Sequence, residues 1–280
     1  MSTSADKSKD LTRAAEESEA VEEAAGLSPR LVFETIRRNG EEELNRPMIA
    51  LWFSGVTAGL LISFSVLGEA ILRAYLPDAP WRFILENAGY SLGFLLVILG
   101  RMQLFTENTI TTVVPVALDP SWRAFARTCR LWGAVLAANV VGAFLIATFF
   151  AYGQVLSDGV MAAMVELSHH ATGMPALQGL LKGIPAGILI AALVWMLPSA
   201  QGSEVAVIVL FTWLIALGDF THIVAGSVEM AFLVVLGQLG FNQAVFGFFL
   251  PVLVGNVMGG TVVFTMLTWG QVSPEVKPSQ

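Results

Sequence analysis

The chain has 280 residues, 55% hydrophobic and 13% charged, with a formal net charge of −7 and a mean hydropathy of +0.69. Soluble domains average about 25% charged residues, so the composition excludes an ordinary soluble globule. The acidic balance argues against a nucleic-acid partner, and the single Cys129 cannot close an intrachain disulfide, so no oxidising compartment is implied.

Residues 1–46 hold 11 of the 22 acidic and 7 of the 15 basic side chains. Residues 1–27 have no apolar core of a signal peptide and read as a polar, disordered tail. Residues 28–46 read as a short amphipathic helix on the membrane surface, ending at Arg46-Pro47. Uncharged runs then occupy 47–68, 131–156, 183–203 and 230–274. A helix needs roughly 20 apolar residues to cross the hydrocarbon layer. The pattern predicts an all-α integral membrane domain over 47–272, followed by a C-terminal tail at 273–280. Its six spans run about 47–72, 84–118, 124–153, 176–199, 205–236 and 241–270.

Basic residues set the orientation. Arg30, Arg37, Arg38 and Arg46 precede span one, and Arg123, Arg127 and Arg130 lie between spans two and three, whereas 153–175 has no Lys or Arg. Both termini are therefore expected in the cytoplasm, with Arg73 and Arg82 on the less usual side.

The halves resemble each other. SGVTAGLLI (54–62) matches KGIPAGILI (182–190), ANVVG (138–142) matches GNVMG (255–259), and Phe105-Thr106-Glu107 matches Phe220-Thr221-His222, at offsets of 128, 117 and 115. Three spans per half make the second half inverted, a 3+3 repeat common in transporters and channels. The uncharged stretches 87–100 and 205–218 are each 14 residues long. Fourteen helical residues reach only about 21 Å of a roughly 30 Å core. Both middle spans should therefore stop near mid-membrane, unwind and resume, and backbone unwound at that depth marks a permeation or binding site.

These residues carry a resemblance to a known family. LGRMQLFTENT (99–109), ALVWM (192–196), DFTHIVAGSVEM around the one membrane histidine, and GNVMGG resemble the formate/nitrite transporter family, pentameric channels for small monovalent anions. The resemblance covers about residues 28–272. It implies an aquaporin-like fold with one pore per protomer and five protomers around a lipid-plugged axis. It makes Thr106 the threonine of the pore loop and His222 the central histidine. Tyr90, Phe94, Leu104 and Ile215 become constriction positions, and Lys182 the vestibule cation. The chain departs from the family at Glu107, usually a small residue, and at Gly187 and Gly226, usually Asn.

Each candidate has a plainer reading. His222 is either a packing histidine or a cavity-facing one, and ionisable residues inside membranes face cavities or partners. Thr106 and Thr221 line the pore or cap the resumed half-helices. Glu107 either faces His222 across the pore or pairs with Arg101 to hold the loop. Lys182 is either a vestibule charge or a residue snorkelling to the interface. Asp219 is expected to cap the resumed half-helix, and Phe105 and Phe220 to act as hydrophobic gates. Glu69 and Glu229 are placed near interfaces without a role. The Gly55/Gly59, Gly183/Gly187 and Gly255/Gly259 pairs read as close helix packing.

The expected mechanism gathers an anion in a positive vestibule, protonates it near the constriction and passes it as the weak acid. The partners implied are a lipid bilayer, four further copies of the chain and a small anion or weak acid, with no cofactor or metal. An enzyme is disfavoured, since the chain has no HExxH or GxSxG and His169-His170 fall in a polar loop without acidic ligands at useful spacing. Glu107 keeps open a cation or neutral-solute channel on the same scaffold.

Overall fold

The structure, a computed structural model, describes residues 26–275. The expected tail over 1–27 lies almost wholly outside them, as does most of 273–280. The described residues are helical, with no strand among them. Helix α1 (Pro29–Asn45) begins at Ser28, whose hydroxyl accepts from the Leu31 N–H at 3.3 Å. It is followed by α2 (Met48–Tyr75), α3 (Arg82–Leu99), α4 (Phe105–Thr111), α5 (Val113–Leu118), α6 (Trp122–Tyr152), α7 (Asp158–Thr172), α8 (Ala176–Met196), α9 (Glu204–Leu217), α10 (Ile223–Val235) and α11 (Gln243–Val272). Five of these, α2, α3, α6, α8 and α11, belong to helices long and apolar enough to cross a membrane, while α9 and α10 are shorter apolar helices separated by residues 218–222. The chain is a multi-pass membrane protein.

The glycine pairs bring helices into backbone contact. A Cβ at Gly59 would strike the Asn139 carbonyl, and one at Gly142 the Val56 carbonyl, so α2 and α6 cross with no side chain between them. The same holds for α8 on α11, where Gly187 faces the Asn256 carbonyl and Gly259 faces that of Ile184. Small residues that let backbones approach are the usual means of helix association where lipid removes the hydrophobic drive. These crossings set where Asn139 and Asn256 stand.

Two elements differ from expectation. The 153–175 connection, which carries His169 and His170, is largely helix α7, capped by Ser157 through the Val160 N–H at 3.4 Å. Its buried Val160, Ala163, Met164 and Leu167 follow helical spacing and seat it on the core. Helix α1 spends its apolar stripe on protein: Val32, Phe33 and Ile36 join a cluster with Ile110, Val114, Ala191 and Val194, and Phe33 stacks on Trp269 at 5.3 Å. Arg37 and Arg38 hold Glu34 on its outer side, and the Arg37 hydrogen bond keeps that carboxyl down to about 2.

Candidate functional site

Both middle segments break, at Gly100–Leu104 and at Gly218–His222, and the two breaks are built from the same bonds. Helix α3 ends with Arg101 N–H on Ile98 O and Met102 N–H on Val97 O, both 3.0 Å, and with Arg101 at φ 51°. Helix α9 ends with Asp219 N–H on Ala216 O at 2.9 Å, Phe220 N–H on Ile215 O at 3.0 Å, and Asp219 at φ 53°. This is a helix stop with a left-handed residue, a position normally given to glycine. An asparagine then clamps each loop. Asn139 Oδ1 accepts from the Phe105 N–H at 3.0 Å while its Nδ2 donates to Gln103 O at 2.9 Å and Gly55 O at 2.8 Å. Asn256 Oδ1 accepts from the Ile223 N–H at 2.8 Å while its Nδ2 donates to Thr221 O at 2.8 Å and Gly183 O at 3.0 Å. Each asparagine thereby satisfies two backbone groups of its unwound loop, and Ser54 Oγ accepts from a third, the Gln103 N–H, at 3.0 Å.

The paired positions, 101 with 219, 103 with 221 and 105 with 223, stand 118 apart. The Phe-Thr match at 115 is therefore a coincidence of letters. In the bonded register His222 corresponds to Leu104, and Glu107 to Ala225. Glu107 and His222 are not counterparts.

His222 closes the middle of the molecule. It is the N-cap of α10, the role expected of Asp219, with Nδ1 accepting from the Ala225 N–H at 3.3 Å. Its Nε2 lies 2.8 Å from Thr106 Oγ1, and the ring is 2% exposed. Since Nδ1 is an acceptor, the ring's proton is assigned to Nε2, which donates to Thr106. The hydroxyl hydrogen of Thr106 is then free to donate onward. Phe94 packs edge-on against the imidazole with centroids 5.0 Å apart, and Tyr90 lies 5.4 Å from Phe94. Leu104 and Ile215 are fully buried beside them.

Two cavities flank this plug. One, of about 470 Å³, has His222, Thr221, Phe220 and Tyr90 in its wall. The other, of about 620 Å³, is lined by Glu107, Arg101, Gln103 and Thr111 and is roofed by α1 through Glu43 and Arg46. Glu107 therefore faces away from His222, on the opposite side of the plug. It makes no ion pair with Arg101, and its buried Oε1 has no hydrogen-bond partner among the described residues. Glu43 Oε2 accepts from the Thr111 hydroxyl at 2.8 Å, and burial pushes its carboxyl above the usual range.

Other expected residues separate by what they touch. Phe105 lies edge-on to Trp132 at 5.7 Å, packs in the core and lines neither cavity, while Phe220 does face one. Thr221 ties its loop to α8 by donating to Gly179 O at 2.7 Å. Lys182 lines neither cavity and is paired with Asp219, whose other oxygen bonds His170 at 2.9 Å. Among the described residues neither cavity has a predominantly basic lining. The His222-side cavity carries Glu69, Glu166, Asp219 and Glu229 against Arg73 and His170, and the other carries Glu42, Glu43, Glu107 and Glu204 against Arg46 and Arg101. The sequence reading passed over the two clamping asparagines, although both stand in the matched ANVVG and GNVMG stretches, and it gave Glu69 and Glu229 no role.

Comparison with known proteins agrees with this architecture. A family model described as "Formate/nitrite transporter" matches residues 30–270. The chain is 41% identical over 241 residues, 86% of this chain and 78% of the relative, to "Inner membrane protein YfdC" of Escherichia coli. It is 24% identical over 249 residues, 78% of this chain and 84% of the relative, to "Formate channel FocA" of Haemophilus influenzae. Among solved structures it is similar to an "FNT family ion channel" (TM-score 0.76, 18% identity, 86% of this chain and 98% of that one). It is also similar to a "Pentameric formate channel with formate bound" (TM-score 0.68, 21% identity, 81% of this chain and 98% of that one).

Proposed function

The chain belongs to the formate/nitrite transporter family, and we propose that it carries a small monovalent anion or its weak acid, formate or nitrite being the type, with proton-linked passage at His222. The observation that carries this reading is the Thr106–His222 bond at the plug between two cavities. With Nε2–H donating to Oγ1, the threonine hydroxyl becomes a polarised donor aimed at whatever crosses, and a hydrogen bond of this kind strengthens where water is excluded. The surrounding Phe94, Leu104 and Ile215 offer nothing polar, so a neutral acid passes more easily than its anion. A second proton on the ring must go to Nδ1, which is occupied by the Ala225 N–H. Proton gain at the histidine therefore competes with the cap of α10.

The rest of the arrangement follows the family reading: six spans in an inverted 3+3 repeat, two broken spans of aquaporin-like form, and a homopentamer with one pore per protomer in the cytoplasmic membrane, both termini inside. The bond-for-bond match of the two breaks supports the repeat. The similar fold of the pentameric channel with formate bound supports the pentamer and the substrate. The acidic linings of both cavities support one second reading, a cation or neutral solute on the same scaffold.

Reconstitution in proteoliposomes separates the two. Formate or nitrite flux that grows as pH falls, with no uptake of a weak base, is the expected result. Weak-base or cation flux without formate flux would replace the first reading by the second.

A further inference from the structure

Two carboxyls on the His222-side cavity have no assigned work. Glu69 of α2 is 9% exposed, and Glu229 of α10 stands seven residues beyond His222, on the face that also brings Gly226 to the cavity wall. Neither makes a hydrogen bond or an ion pair among the described residues, although both line the cavity. The nearby cations make their bonds elsewhere, although Arg73, one turn along α2 from Glu69, still acts on that carboxyl through space. Arg73 bonds Glu86 at 2.6 Å and Glu166 at 3.3 Å, and Asp219 holds both Lys182 and His170. Tyr90 and His222 are the remaining titratable groups facing the cavity, and neither compensates a carboxylate.

Two carboxylates that face one cavity without a hydrogen-bond partner are unfavourable both singly and together. They are relieved by binding either a proton or a cation. Hard cations need six or more oxygen ligands, and no group of three or more acidic, histidine or cysteine side chains is arranged for a metal among the described residues. A proton needs only one oxygen.

We propose that Glu69 and Glu229 form a proton-loading site, which protonates the substrate anion before it reaches the Thr106–His222 plug. The inference rests on the weak-acid reading above. In the step, the O–H bond of the Glu229 carboxylic acid breaks and an O–H bond forms on the anion. Carboxylic acid plus formate becomes carboxylate plus formic acid. The carboxylate regains its proton from water on the same side, by way of Glu69 at the cavity wall. A protonated carboxyl also donates a hydrogen bond to the incoming anion, the work that a free lysine would otherwise do and that Asp219 denies to Lys182. The acidic lining and the carriage of an anion are then compatible.

The test compares wild type with Glu229→Gln, Glu69→Gln and the double variant in proteoliposomes, following formate flux across a pH series. Protonated carboxyls are read in parallel from their infrared carbonyl absorption. The expected result is a fall in flux of at least about tenfold near neutral pH for Glu229→Gln, a flattened pH profile, and loss of protonated-carboxyl absorption in each variant. Unchanged profile and absorption in variants of a transporting wild type overturn the proposal and leave the transport reading standing. No formate or nitrite flux in the wild type at any pH overturns the transport reading, and the infrared signal alone then decides whether the site holds a proton. If a glutamine variant fails to assemble, a hydrophobic carbodiimide on the wild type answers instead. Such reagents modify protonated carboxyls, so labelling at Glu69 or Glu229 by mass spectrometry supports the site and its absence overturns it.

Discussion

Replacing Asn139 or Asn256 with Ala removes the clamp of one break and nothing else polar. Of the three bonds each amide makes, one goes to a helical carbonyl, Gly55 O or Gly183 O, which keeps its own partner within the helix. The other two are orphaned: the Phe105 N–H and Gln103 O in one break, the Ile223 N–H and Thr221 O in the other. A buried polar group left unpaired costs about 1–3 kcal/mol, so each variant should lose about 2–6 kcal/mol, a large share of the about 5–15 kcal/mol typical of a folded protein. At about 2 °C per kcal/mol for a chain of this size, the midpoint should fall by at least about 4 °C. Thermal unfolding in mild detergent, followed by the fluorescence of the seven tryptophans, measures this directly. The equal bonding of the two breaks further requires that both variants lose similar stability. A severe Asn139→Ala beside a silent Asn256→Ala would refute the account of the clamps.

Replacing His222 with Phe keeps an aromatic against Phe94 but deletes both the cap of α10 and the Thr106 bond; formate flux should fall sharply and its pH dependence flatten in proteoliposomes. Glu107→Gln should leave that pH profile in place, since Glu107 lines the other cavity, and a displaced profile would mean that the two groups communicate. Gly142→Ala drives a methyl group into the Val56 carbonyl where α2 crosses α6; overpacking of this kind costs about 1–3 kcal/mol and should lower the unfolding midpoint by several degrees. Glu43 has a carboxyl raised by burial, so its protonated form fits the folded state better, and its contribution is lost as pH rises through the folded pKa. Glu43→Gln keeps an acceptor for Thr111 and should stabilise the protein at alkaline but not at acid pH, as thermal scans on both sides of neutrality would detect.

The membrane class and the two breaks were legible because they are properties of composition and length: two 14-residue uncharged stretches cannot cross a bilayer alone. The register between the breaks was not. Phe-Thr recurs at 105 and 220, but what fixes equivalence is which backbone groups the asparagines hold, and that gives 118. The ANVVG and GNVMG match, at 117, already pointed within one residue of it. Side-chain direction was also beyond reach. Glu107 sits one residue from Thr106 on α4, yet one helical step of about 100° sends it to the opposite cavity. Helix α7 was hidden by its polar flank, although the spacing of Val160, Ala163, Met164 and Leu167 is helical. Asp219 reads as a cap from residue type alone, whereas Lys182 and His170, 37 and 49 residues away, claim its oxygens.

Glu42, Glu43, Glu107 and Glu204 face Arg46 and Arg101 in the Glu107-side cavity, which gains a negative potential once the pH has risen far enough to ionise Glu43, the carboxyl that burial holds above the usual range. Dissolved salt screens such a potential over about 10 Å at 0.1 M, so an anion arriving from that side meets a lower barrier in saline than in dilute buffer. Salt and pH should therefore act together on an anion entering from the Glu107 side, the one mattering little until the other has ionised Glu43.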